Sequence, residues 1–132
     1  MRRSFSLILV AWVASVVVGC GRQHDLASIV PPNDAWFQKH VVTQEVPVLV
    51  DFSATWCGPC RQLAPHVEKV GRQYAGKIKT VNIDIDEHPE LAEHYGISPI
   101  PAMMIFKNGR VVADEVGYMS YPELEKWVTK QL

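Results

Sequence analysis

The stretch VLVDFSATWCGPCRQLAP, residues 48–65, passes from one kind of periodicity to another. Its first half is a continuous apolar run rich in β-formers, as expected of a strand covered on both faces. Beyond the two cysteines, Leu63 is followed at +4, +7 and +11 by Val67, Val70 and Tyr74, which is one face of a helix. Pro65 falls inside that helix and is expected to kink it by removing a backbone bond. Cys57 therefore stands where a buried strand gives way to a helix N-terminus, with Cys60 one turn further in.

Working outward, Asn33 or Asp34 can cap a short helix through Trp36, Phe37 and His40. IKTVNIDI (78–85) reads as a second strand. Pro89 opens a helix with Leu91 and Tyr95 on one face and Gly96 as its stop. AMMIFK (102–107) and RVVADEV (110–116) flank Asn108-Gly109, a strong two-residue hairpin signal. Ser120 and Glu123 form a capping box for a last helix whose stripe is Leu124, Trp127, Val128 and Leu132. The β-α-β portion implies a parallel pair joined by a right-handed crossover. The hairpin adds antiparallel strands. The fold class is α/β: a central mixed sheet flanked by helices on both faces. Ile29-Val30 is compatible with a short edge strand or with irregular chain.

The chain has 132 residues, enough for one domain. Apolar residues make up 48%, ample for a core. With 13 basic against 14 acidic residues and no basic stripe, nucleic acid is excluded as a partner. The first residues differ from the rest. Arg2 and Arg3 precede an uncharged run, Phe5–Val18, too short for a transmembrane helix of about 20 residues. The pattern is that of a secretory signal, and its end, Val17-Val18-Gly19-Cys20, resembles a bacterial lipobox. That resemblance implies a signal peptide over 1–19, cleavage before Cys20 and acylation of its thiol; the alternative is an ordinary signal, or a membrane anchor, with an incidental Cys. Several acyl chains hold a protein stably on a membrane. Residues 20–32 then read as lipidated cysteine and tether, spanning about 40 Å if stretched, and 33–132 as the folded domain. Gly21 lacks the Asp that some bacteria use for inner-membrane retention, which tilts the expectation towards the outer membrane.

With Cys20 assigned to lipid, Cys57 and Cys60 remain as a lone pair. Two residues at i and i+3 on a helix start are neighbours, so the sulfurs can close a small ring. Such a ring constrains almost no chain and adds little stability, which argues against a structural cross-link. Zinc needs further ligands, and His66, His88 and His94 are scattered. Residue 61 is Arg, so the haem-attachment pattern is absent. No metal or other cofactor is implied. Unpaired N–H groups and the helix dipole favour an anion at Cys57, and a thiolate is the nucleophile of disulfide exchange. Gly58 leaves room for an incoming disulfide, Pro59 suits a first helical turn, and Trp56 offers a flat apolar surface or core packing. Asp51 interrupts the most buried strand. Burial should raise its pKa and suit it to proton transfer; the alternative is a strand-edge carboxylate turned to water. Pro101 precedes a strand, where proline is tolerated.

Together these residues resemble the thioredoxin family. Trp56-Cys57-Gly58-Pro59-Cys60 reads WCGPC, that family's active-site motif; Val50-Asp51-Phe52, Pro65, Ile100-Pro101, Phe106-Lys107-Asn108-Gly109 and Val116-Gly117 match further positions. The resemblance covers roughly residues 33–132 and implies the thioredoxin fold. It implies that Cys57 attacks a substrate disulfide and that Cys60 resolves the mixed disulfide, with Asp51 taking its proton. Main-chain groups at Ile100 and a cis Pro101 would hold the substrate. Trp56, Gly58, Pro59, Gly117 and Tyr118 would form the landing surface. Ser53 stands where the family usually has a second Trp. Asn82 stands where it often has a Lys, which should leave Asp51 more readily protonated. The expectation is a monomeric protein-disulfide reductase of the bacterial envelope, facing the periplasm. Its partners would be disulfide-bearing proteins, the lipid membrane through Cys20, and a membrane electron donor of the thiol-disulfide relay type. The alternatives are an oxidising exchange protein, a cytochrome-c-maturation relative (although the insert seen there has no room between Cys60 and Pro101), or a redox-inactive binding module.

Overall fold

The computed structural model describes residues 25–132, so Cys20 and the signal-like segment lie outside the described residues. In chain order the elements are α1 (Ala35–Phe37), β1 (Val48–Ser53), α2 (Gly58–Gln73), β2 (Lys79–Asp84), α3 (Pro89–His94), β3 (Ala102–Lys107), β4 (Arg110–Val116) and α4 (Tyr121–Thr129). The sheet runs β2-β1-β3-β4. β1 pairs in parallel with β2 and antiparallel with β3, and β3 pairs antiparallel with β4. This is the mixed sheet expected from the sequence.

The period of two along β1 divides the core. Val48, Val50 and Phe52 join Phe37, Leu91, Tyr95 and Phe106 on one side. Here Phe37 and Tyr95 meet Phe106 edge-on, at centroid distances of 5.6 and 5.4 Å. Leu49 lies on the other side with Leu63, Val67 and Val70 of α2, Met103 and Ile105 of β3, and Leu124 and Val128 of α4. Asp51 follows Leu49 by two residues and shares that side. α2 runs unbroken through Pro65. It approaches β2 closely at Gly71, where a Cβ would lie 2.8 Å from Thr80 Oγ1. The hairpin turn places Asn108 at φ 51° and Gly109 at φ 75°, the left-handed conformation these residues tolerate best. Asp34 Oδ1 accepts from the Phe37 N–H at 2.6 Å, and Glu123 Oε2 from the Ser120 N–H at 2.9 Å, so both expected caps form.

Two N-terminal details differ from the sequence reading. The first helix does not continue regularly through His40; a wider turn spans 38–42. Both donors of Thr43, its N–H and its hydroxyl, converge at 3.0 Å on the Gln38 carbonyl five residues back, which opens the turn. Residues 25–32, read as tether, are packed against the domain rather than stretched. Leu26 and Ile29 lie against the aromatic core, the His94 ring meets the Val30 carbonyl at 2.9 Å, and the Gln38 amide donates to the Pro32 carbonyl at 2.8 Å. Among the described residues no strand precedes β1. Pro31 and Pro32 follow Val30 and have no N–H to offer a sheet.

Candidate active site

Cys57 is the N-cap residue of α2, with extended backbone (φ −81°, ψ 108°), and its N–H closes a turn onto the Ala54 carbonyl at 3.1 Å. From the first turn of α2 the Cys60 N–H points at Cys57 Sγ, 3.2 Å away. A sulfur receiving a backbone N–H at a helix N-terminus is favoured as an anion. The two sulfurs are joined as a disulfide, with Cα atoms 5.3 Å apart. Both cysteines are nearly buried, at 4% and 3% exposure. Gly58 and Pro59 occupy the first turn between them.

The rim is a mixture of apolar surface and free main chain. Trp56 is 64% exposed, which rules out core packing as its role. Its indole Nε1 donates to Asp86 Oδ2 at 2.8 Å, fixing the ring beside the cysteines. Opposite, the Ile100–Pro101 bond is cis, and Ile100 packs with Ile85 against the cluster of Ala54, Cys57 and Cys60. The Gly117 N–H donates to the Pro101 carbonyl at 2.8 Å, with Gly117 at φ 103°. Pro101 and the end of β4 are thereby joined. The Ile100 N–H and carbonyl have no partner among the described residues. Tyr118, next in the chain, is half exposed and lies 5.8 Å from the His66 ring of α2.

Behind the cysteines sits Asp51, at 1% exposure; it does not turn to water at a strand edge. It shares with Cys60 an open cavity of about 490 Å³, also lined by Ser53, Arg61, Glu68, Thr80, Asn82 and Asp84. Burial pushes its pKa from the ordinary 3.8 up to about 6, partly offset by a hydrogen bond from Asn82. Asn82 Nδ2 donates to Asp51 Oδ2 at 3.2 Å and to Ser53 Oγ at 2.8 Å. Asp51 Oδ1 is buried without a partner among the described residues. The departures at Ser53 and Asn82 therefore meet each other here. Sequence reading missed that contact, and missed Asp86 as the anchor of Trp56. Each pair is 29 to 30 residues apart in the chain and carries no local signal. Among the described residues no cluster of His, Cys, Asp and Glu could hold a metal ion, and no helix is long and apolar enough to cross a membrane.

A family model described as thioredoxin matches residues 28–130. Thioredoxin 1 of Nostoc sp. is 48% identical over 99 residues, covering 75% of this chain and 92% of that protein. Thioredoxin of Synechocystis sp. is 47% identical over 100 residues, covering 76% and 94%. Thioredoxin C-2 of Corynebacterium nephridii is 42% identical over 106 residues, covering 80% and 98%. The chain belongs to the thioredoxin family. As a thioredoxin-family member with its cysteine pair in place, it is a thiol-disulfide oxidoreductase, a protein-disulfide reductase by activity.

Proposed function

We propose that this reductase works in the bacterial envelope, held on a membrane through acylated Cys20 and facing the periplasm, where it reduces disulfides of exported proteins. In the reduced protein the Cys57 thiolate attacks one sulfur of the substrate disulfide. The substrate S–S bond breaks, the leaving sulfur takes the electron pair, and a mixed disulfide forms. Cys60 then gives its proton to Asp51 and attacks Cys57 Sγ. The second substrate thiolate departs, leaving the Cys57–Cys60 disulfide. The observation that carries this chemistry is the Cys57 sulfur at the start of α2, receiving the Cys60 N–H.

Around that step the free main chain of Ile100 pairs with an extended substrate segment, beside cis Pro101. Trp56, Gly58, Pro59, Gly117 and Tyr118 supply the surface on which the segment rests. The substrate is thus an extended, accessible disulfide in a protein. Because the periplasm is oxidising, each turnover requires two electrons from a membrane donor of the thiol-disulfide relay type. The envelope reading is supported by Arg2-Arg3, the apolar run to Val18 and Gly19-Cys20, and Gly21 favours the outer membrane.

Two measurements test the proposal. Mass spectrometry of membrane-extracted protein should find acylated Cys20 as the N-terminal residue; an intact Arg2–Val18 segment contradicts the anchor. A reduction potential near that of the reducing thioredoxins supports the stated direction, while one near the strong-oxidant end of the family range, around −120 mV, contradicts it.

A further inference from the structure

We propose that Asn82 is a positioning residue for the resolving half of the exchange: it bridges Asp51 to Ser53 and holds one oxygen of the carboxyl that shares a cavity with Cys60. The inference rests on the exchange chemistry proposed above and adds a residue to it.

One side-chain amide group makes the whole bridge. Asn82 Nδ2 lies 3.2 Å from Asp51 Oδ2, 3.3 Å from the Asp51 carbonyl and 2.8 Å from Ser53 Oγ. The amide comes from β2, whose register sets Asn82 opposite Asp51. Both acceptor residues belong to β1 and point to the same side of the sheet. A carboxyl held at Oδ2 and at its own backbone has lost much of its freedom to turn. Its second oxygen, Oδ1, is buried and makes no hydrogen bond among the described residues. An unpaired buried oxygen is costly, and protonation of the carboxyl lowers that cost.

The other charged groups do not compete for it. Arg61 and Glu68 of α2 and Asp84 of β2 line the same cavity. Arg61 is turned to the Thr55 carbonyl, Glu68 to Arg72, and Asp84 to the Asp86 N–H. From β3 the neighbour of Asp51 is the apolar Met103. Asn82 is thus the one side chain that hydrogen-bonds the carboxyl among the described residues. In the resolving step the Cys60 proton passes to the Asp51 carboxylate, the Cys57–substrate bond breaks with its electron pair going to the departing sulfur, and the Cys57–Cys60 bond forms. Asp51 afterwards loses the proton to solvent. The Asn82 N–H stabilises the ionised carboxylate that must accept the proton. Removing it should move the inflection of the resolving step to higher pH.

The test is single-turnover release of thionitrobenzoate from its mixed disulfide with Cys57 in the full-length protein, followed from pH 5 to 9. Wild type should show an inflection near 6, the pKa to which burial lifts Asp51. Asn82→Ala should move it up by roughly one pH unit, and Asn82→Lys, which brings a cation to the carboxylate, should move it down. In an Asp51→Asn background neither substitution should move the profile. Identical profiles for wild type and Asn82→Ala would overturn the role of Asn82, as would an equal shift without the Asp51 carboxylate. Release that persists in Cys60→Ser would instead remove the exchange mechanism itself, so the two failures are distinguishable. Asn82 is exposed, and a single cooperative thermal transition of Asn82→Ala at pH 5 checks that the effect is not general loosening.

Discussion

The two sides of β1 are built to opposite ends. Val48, Val50 and Phe52 enter an aromatic cluster with Phe37, Tyr95 and Phe106, in which burial keeps the Tyr95 hydroxyl protonated. Leu49, Asp51 and Ser53 begin in apolar packing against α2 and α4 and end in a polar cavity beside Cys60. One strand thereby anchors the fold with one set of side chains and serves the chemistry with the next. A one-residue slip would exchange the two sets. The comparison explains how a carboxylate can occupy the most buried strand: the stability it costs is offset by the aromatic side.

The largest expected effect lies on the aromatic side. Phe52→Ala should destabilise the domain by about 3–5 kcal/mol, since it removes a fully buried ring from the aromatic cluster. Denaturant unfolding checks this, and a loss below about 1 kcal/mol would break the proposed division of labour. Next comes Asp51→Asn. The folded protein keeps the Asp51 proton up to about 6, whereas the unfolded chain releases it near 3.8. Between those pH values the native state binds more protons than the unfolded state, so stability falls as pH rises through the window and is flat above it. The displacement corresponds to roughly 3 kcal/mol. Asp51→Asn should therefore raise stability by up to about that amount at pH 8 and by almost nothing at pH 3.5. Thermal unfolding at both pH values measures it, and an equal gain at the two would contradict an ionisation penalty. The smallest effect belongs to Ser53→Ala. Ser53 Oγ is one of three acceptors around Asn82 Nδ2, and its loss should cost no more than about 1 kcal/mol. A larger loss would mean that the bridge supports the sheet itself.

Much of this was legible beforehand where the signal is local. The apolar run into β1, the 3.6-residue stripe of α2 and the Asn108-Gly109 turn each follow from short-range patterning. WCGPC marked the site, and the position of Asp51 in an apolar strand already implied a raised pKa. What escaped sequence reading depends on pairings distant in the chain. Trp56 finds Asp86, and Ser53 finds Asn82, only once β1 and β2 lie side by side. The segment before α1 misled for a related reason. Its polar start and double proline suggest a free tether, while the two side chains that dock it, Leu26 and Ile29, are too few to make a periodic pattern.

Everything functional depends on Cys57 being the sulfur that meets the substrate. The most direct test is alkylation of the reduced protein at neutral pH with a limiting amount of iodoacetamide, followed by peptide mass analysis. The structure predicts that the label appears first on Cys57, the sulfur held at the helix start by the Cys60 N–H. First labelling of Cys60, or no labelling of either before unfolding, would contradict it.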